Sequence, residues 1–104
     1  MSVVTDMILM TELYDGGREG ERPCVEALNR WLLGRHPSCF VLVSEMTTAK
    51  AMQSDVFVAA INFLEEEEFI AAFNAVPWAS PESVQLLLKR EQADKYELIE
   101  VAKR

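Results

Sequence analysis

Three short, continuous apolar stretches constrain the fold of this chain more than any other sequence feature. They lie within Val3–Leu13, Cys39–Val43 and Val56–Leu64, and the first is centred on Met7–Met10. A short apolar run of this kind is typical of a β-strand that is buried on both faces. Each run is far shorter than the roughly 20 apolar residues that a membrane-spanning helix needs. The sequence therefore predicts three buried strands and no membrane segment.

The first helix is predicted at Pro23–Leu33. Proline suits the first turn of a helix, and Val25, Leu28 and Leu32 recur at helical spacing. Gly34 follows directly, in the position where glycine commonly ends a helix. These signals predict a helix between the first and second strands.

Four consecutive acids, Glu65–Glu68, mark the start of the second predicted helix. One interpretation of the run is a metal site or a charged recognition patch. The favoured interpretation is a helix start, because the helix dipole stabilises negative side chains in a first turn. Phe69, Phe73 and Val76 then recur at helical spacing, and Pro77 closes the helix.

The C-terminal segment Ser80–Arg104 is compatible with either a helix or a hairpin. Its first three residues could cap a helix, but apolar and polar residues alternate over Val84–Arg90 and again over Lys95–Val101. This alternation favours a β-hairpin, in spite of a turn without glycine. The resulting order, β-α-β-β-α-β-β, predicts one α+β domain over residues 1–104. The expected architecture is a ferredoxin-like plait, an antiparallel sheet with two helices on one face.

The residue pattern of the predicted strands does not fit a sheet with one solvent-exposed face. Two helices cover only one face, so the strands should alternate between apolar and polar residues. Instead, Met7–Met10, Cys39–Val43 and Val56–Ile61 are apolar on both faces. The second face should therefore carry an apolar patch that needs a cover. The simplest cover is a second copy of the chain packed face to face, so a homodimer is predicted. A different protein partner and the C-terminal segment folding back are the two alternatives.

The net charge of −7 limits the class of partner. An acidic surface repels nucleic-acid phosphate and anionic lipid, so direct binding to either is not expected. The charge favours a basic protein partner, or it serves solubility alone. Cys24 and Cys39 form neither a CxxC pair nor a zinc pattern. Without a signal peptide, two buried thiols suit a reducing compartment, and a cytoplasmic location is predicted.

No catalytic constellation is visible in the sequence. His36 is the single histidine and has no local relay partner, so neither a general base nor a zinc site is predicted. The glycine-containing loop Asp15–Glu21 is not a phosphate-binding loop, a dinucleotide fingerprint or an EF-hand. No catalytic residue, metal or cofactor is predicted, and the question of enzymatic activity stays open with a preference against it.

The favoured function is a non-catalytic acidic binding module. An inhibitor or immunity-type protein that masks a basic partner, for example a nucleic-acid-binding protein, is the model for this activity. Trp78, flanked by prolines, is either an exposed anchor for the partner or a plug over the end of the core. The predicted contacts with the partner are Glu65, Glu66, Glu67, Glu68, Trp78, Asp94, Glu97 and Glu100.

Two alternatives belong to other functional classes. The first is a homodimer of the dimeric α+β barrel type that binds or oxidises a hydrophobic small molecule. Its pocket would lie between sheet and helices, lined by Trp31, Phe57, Phe73 and Trp78. The second alternative is a structural subunit of a larger assembly.

Overall fold

A computed structural model describes residues 3–12, 20–45 and 52–102. The predicted loop Asp15–Glu21 lies mostly outside these residues. The elements, in chain order, are β1 (Val4–Glu12), α1 (Arg22–Leu33), β2 (Val41–Leu42), β3 (Ser54–Asn62), α2 (Glu66–Ala75), a 3₁₀ turn (Pro81–Ser83), β4 (Gln85–Arg90) and β5 (Glu97–Glu100).

The five strands form one antiparallel sheet in the order β2-β3-β1-β4-β5. The first strand therefore occupies the centre of the sheet, with two strands on each side. An α+β fold with an antiparallel sheet and two helices is as predicted, and the arrangement is consistent with a ferredoxin-like type of fold. The C-terminal hairpin is also confirmed, because β4 and β5 pair antiparallel from Gln85↔Glu100 to Leu88↔Glu97.

The second strand is shorter than predicted. Cys39–Val43 was expected to be a strand, but only Val41–Leu42 pairs in the ladder. The side chain of Asn29 in α1 explains the late start. Its Oδ1 accepts the Phe40 N–H at 2.8 Å, and its Nδ2 donates to the Phe40 carbonyl at 3.1 Å. The backbone groups of Phe40 are thereby satisfied by the helix instead of by a neighbouring strand.

Both helices pack against the same face of the sheet, which we call the covered face. Side chains alternate along β1, so that Met7 and Leu9 are buried while Ile8 between them is only partly buried. One hydrophobic cluster joins the covered face to both helices, since it includes Leu28 of α1 and Phe73 of α2. The opposite face of the sheet, on which Ile8 lies, is called the open face.

The helix boundaries follow the sequence signals. Pro23 occupies the first turn of α1, and the Gly34 N–H donates to the Arg30 carbonyl at its end. Acidic residues 66–68 occupy the first turn of α2, where the helix dipole stabilises their negative charges. At the other end of α2, Val76 is already extended, and Pro77 follows. The predicted helix start at the acid run is confirmed.

None of the helices in the described residues is long and apolar enough to cross a membrane. Cys24 and Cys39 are both free thiols and are partly buried.

Candidate functional site

A groove of about 550 Å³ lies beside the end of α2 and the end of β5. Its apolar walls are formed by Val76, Trp78, Pro81, Val101 and Ala102. Its acidic residues are Glu82 and Glu100, and both are exposed. The described lining residues include no basic side chain, so the charged residues of the groove are both acidic. We call this feature the Trp78 groove.

Trp78 is held firmly in the wall of the groove. Only 7% of its surface is exposed, and its ring packs against Phe73 with ring centroids 5.6 Å apart. Its indole Nε1–H donates to the Phe73 carbonyl at 2.7 Å. The proline that precedes it ends α2 and turns the chain back over the helix. Trp78 therefore closes the end of the core, as a plug does, and presents only a small part of its surface to the groove.

The segment that follows Trp78 is fixed by a buried carboxylate. Glu21, directly before α1, is completely buried, and its two carboxylate oxygens accept the N–H groups of Ala79 at 2.9 Å and Ser80 at 2.7 Å. The Ser80 hydroxyl donates to Glu12 at 2.8 Å. These bonds tie the groove wall to α1 and β1. Because Glu21 stands in a polar glycine-containing stretch, nothing in the sequence distinguished it from a surface acid.

The opposite wall is fixed by the C-terminal hairpin. Glu100 is the last residue of β5, and its register partner on β4 is Gln85. Two residues later, the Ala102 N–H donates to Asn74 Oδ1 of α2 at 2.8 Å. The chain thus passes from the sheet edge to α2 and encloses the groove. Glu82 was not predicted as a contact, because it had been assigned to a possible helix cap.

The structure divides the eight predicted contact residues among different places. Trp78 and Glu100 line the groove together. The Arg90 guanidinium joins Glu66 and Glu97: its Nε and Nη2 donate to the two carboxylate oxygens of Glu66, and its Nη1 donates to Glu97 at 3.0 Å. The hydrogen bonds to Glu66, and then the one to Glu97, raise the pKa of Arg90. Glu66 and Glu97 are therefore engaged within the fold.

The other predicted acids lie at the surface. Glu65 is hydrogen-bonded to His36, with Oε2 and Nε2 2.8 Å apart. A hydrogen bond from its own backbone N–H and the bond with His36 lower the pKa of Glu65. Glu67, Glu68 and Asp94 are exposed. A role of any of these residues in partner binding stays a prediction.

The thiol of Cys24 lies between the start of α1 and the end of α2. Its thiol donates to the Pro77 carbonyl at 3.4 Å. Burial, and then the nearby charge of Glu21, raise the pKa of Cys24. Because the thiolate is the reactive form, these surroundings make the thiol a weak nucleophile near neutral pH. Within the described residues, no three histidine, cysteine, aspartate or glutamate side chains are arranged to hold a metal ion.

The four aromatic residues expected to line a ligand pocket are packing residues in this structure. Phe57, Phe73 and Trp78 belong to the core cluster, and Trp31 packs against it. The ring of Trp31 meets Phe69 edge-on, with centroids 5.8 Å apart, and carries the Arg35 guanidinium on its other side. These contacts supply no specific support for a ligand between sheet and helices.

Known proteins offer no guide to this site. The chain matches no protein-family model, no characterised protein and no solved structure. Any functional conclusion must therefore come from the geometry itself.

Proposed function

We propose that this chain is a non-catalytic protein-binding module that receives a cationic side chain of a basic protein in the Trp78 groove. One observation carries the proposal: two exposed acidic residues, Glu82 and Glu100, are among the lining residues of a groove whose other lining residues are apolar. Arginine and lysine have the matching structure, an apolar stem with a charged end.

The fit is chemical as well as electrostatic. The stem of an arginine or lysine would lie along Pro81 and the accessible part of Trp78, where a cation also interacts with the aromatic ring. The charged end would reach the two lining carboxylates, and a guanidinium can bond both oxygens of a carboxylate at once. Water excluded from the apolar walls would strengthen these bonds.

The charge of the whole chain supports the same class of partner. A net charge of −7 attracts a basic protein over a distance and repels nucleic acids and anionic lipids. The exposed acids Glu67, Glu68 and Asp94 would add to this attraction without entering the groove. Binding of this kind masks the partner's basic surface, as an inhibitor of a nucleic-acid-binding protein does.

The proposal includes a finer description of the fold and of the location. The fold is a ferredoxin-like plait extended by β5, which the order β2-β3-β1-β4 and the two helices on one face support. The location is the cytoplasm, where the free thiols of Cys24 and Cys39 would stay reduced.

The test uses hexaarginine as the probe and follows the protein by ¹H–¹⁵N NMR at low salt. We expect the largest shifts at the Trp78 indole N–H and at the Ala102 amide, which lie on the two walls of the groove. The double variant Glu82→Gln/Glu100→Gln should weaken binding about tenfold, since each exposed carboxylate contributes up to about 1 kcal/mol.

The matched control is Glu67→Gln/Glu68→Gln, which removes the same two negative charges from the first turn of α2. We expect this variant to weaken binding less than about threefold, because those carboxylates act only over a distance. Equal losses in the two double variants, or no binding of hexaarginine at low salt, would contradict the assignment of the groove.

A further inference from the structure

One row of apolar side chains crosses the open face of the sheet from edge to edge. The register places Ile8 of β1 opposite Val58 of β3 and opposite Leu87 of β4. Val58 is opposite Val41 of β2, and Leu87 is opposite Leu98 of β5. Each of the five strands thus contributes one aliphatic residue to a single row.

Much of this row is exposed. The exposed fractions are 60% for Val41, 36% for Val58 and 47% for Leu98, while Ile8 and Leu87 are partly buried. These residues are neighbours in space, so they form a continuous apolar surface instead of scattered single residues. Such a surface on a small domain marks an interaction site.

The neighbouring rows extend the surface and carry little net charge. On one side of the aliphatic row, the register continues from the buried Val56 through Met10 and Gln85 to Glu100. On the other side, Asp6 is opposite both Ala60 and Lys89, so the central acid of this face has a base beside it. A shallow groove of about 680 Å³ follows these residues and is bordered by Tyr96.

The C-terminal segment does not lie across this face. The segment 97–100 forms the edge strand β5, and the Ala102 N–H is bonded to Asn74 of α2. Since α2 packs on the covered face, the chain leaves the sheet toward the helices. The C-terminal segment, as far as Ala102, is therefore excluded as the element that covers the open face.

We propose that the open face binds the open face of a second copy of this chain. Ile8 lies on the central strand and is the middle residue of the aliphatic row. A twofold axis that runs between two sheets at Ile8, parallel to both, therefore places the aliphatic row of one copy against that of the other. Two sheets packed in this way lie about 10 Å apart, with interdigitated side chains.

The size of the surface suits a dimer. Five strands span about 19 Å at their usual spacing, and the three rows of side chains span about 14 Å along the strands. These lengths give a flat footprint of roughly 270 Å², which side-chain relief enlarges; the interface lies below the ~800 Å² per partner of a standard interface and suits a reversible dimer. A basic partner would find no cluster of acids here, because Asp6 is beside Lys89 and Glu100 lies at the edge strand.

Salt separates this proposal from binding in the Trp78 groove. Two chains of net charge −7 repel each other, so screening by salt should strengthen an apolar homodimer. The same screening should weaken the attraction of a basic partner. Apart from Glu100, which is register partner to Gln85 beside the aliphatic row, the two proposals rest on different residues, and either can fail without the other.

The experiment is sedimentation equilibrium of the full chain at about 0.05 M and about 0.5 M NaCl. We expect a reversible dimer of twice 11.8 kDa that becomes tighter at the higher salt concentration. Val58→Lys should raise the dimer dissociation constant about 100-fold or more, because two lysines would meet in an apolar interface. Leu98→Lys, nearer the edge, should raise it at least about tenfold.

Leu33→Lys is the matched control for Leu98→Lys. Leu33 ends α1, on the other side of the sheet, and is 55% exposed, so the same change of residue type occurs away from the open face. We expect its dissociation constant to stay within about threefold of the parent value. Circular dichroism confirms that each variant is folded.

Three results would overturn the proposal. The first is a parent chain that stays monomeric at the highest concentration and at both salt concentrations. The second is a dimer that persists unchanged in both Val58→Lys and Leu98→Lys. The third is a dimer that Leu33→Lys weakens as much as Leu98→Lys, since that would place the interface on the helices.

Discussion

Replacing Phe73 with alanine is expected to lower the free energy of unfolding by about 3–5 kcal/mol, the usual cost of removing a buried phenylalanine ring. Phe73 is completely buried in the middle of the core, where its ring meets Trp78. The second helix has only 10 residues and buries just Phe69 and Phe73, so its attachment to the sheet depends on these two rings. Loss of one ring should also loosen the wall of the Trp78 groove.

Urea unfolding of Phe73→Ala, at a fixed protein concentration, measures this cost. Phe63→Ala is the matched control, because Phe63 is 62% exposed in the turn after β3. We expect the control to change the free energy of unfolding by less than about 0.5 kcal/mol. A loss below about 1 kcal/mol in Phe73→Ala would mean that α2 is not packed on the sheet as described.

Replacing Arg22 with methionine is expected to cost about 2–4 kcal/mol, because breaking a buried ion pair leaves a charge in a dry site. Arg22 begins α1, and its guanidinium donates to both oxygens of Asp55, at 3.1 and 3.3 Å. The Asp55 side chain is only 1% exposed, whereas that of Arg22 is 31% exposed. The expected cost of Arg22→Met is lower than the usual ~3–5 kcal/mol for a broken buried ion pair, because water reaches the guanidinium.

Two further variants separate the buried ion pair from the exposed one. Glu45 also accepts a hydrogen bond from Arg22, at 3.0 Å, but its side chain is 68% exposed. Glu45→Gln should therefore cost less than about 1 kcal/mol in urea unfolding. Arg22→Met/Asp55→Asn should recover part of the loss, since the buried charge is then gone. Equal costs for Arg22→Met and Glu45→Gln would show that Asp55 does not depend on Arg22.

The sequence allowed most of the fold to be predicted, because the strongest signals are local. Helical spacing located α1 and α2, and simple alternation located the β4–β5 hairpin. The length of β2 could not be predicted, because it depends on a contact across the chain. Asn29 takes both backbone groups of Phe40 out of the ladder. No pattern within a single stretch of sequence reports such a contact.

The candidate site was less accessible to sequence reasoning. Charge and residue type pointed to Trp78 and Glu100, but they could not show that these residues share a groove with Glu82. The acid run was recognised as a helix start, yet only the structure shows Glu66 and Glu97 bonded to Arg90. Tertiary contacts decide which acids remain available, and Glu21 is the clearest case, because it is buried under the groove wall.

The apolar excess on the strands was the most informative sequence feature. Predicted from the composition of β1, β2 and β3, it reappears as an aliphatic row to which β4 and β5 also contribute. The hairpin could not be assigned to the row beforehand, because its register was unknown. The central claim is that two helices on one face leave this row to be covered by another chain.

Isotope-filtered NMR on a mixture of methyl-labelled and unlabelled chains detects which surface the two copies share. We expect intermolecular NOEs to the methyl groups of Ile8, Val58, Leu87 and Leu98, and none to Leu28 or Leu32 of α1. Intermolecular NOEs confined to the helices, or none at a concentration where the chain is dimeric, would contradict pairing through the open face.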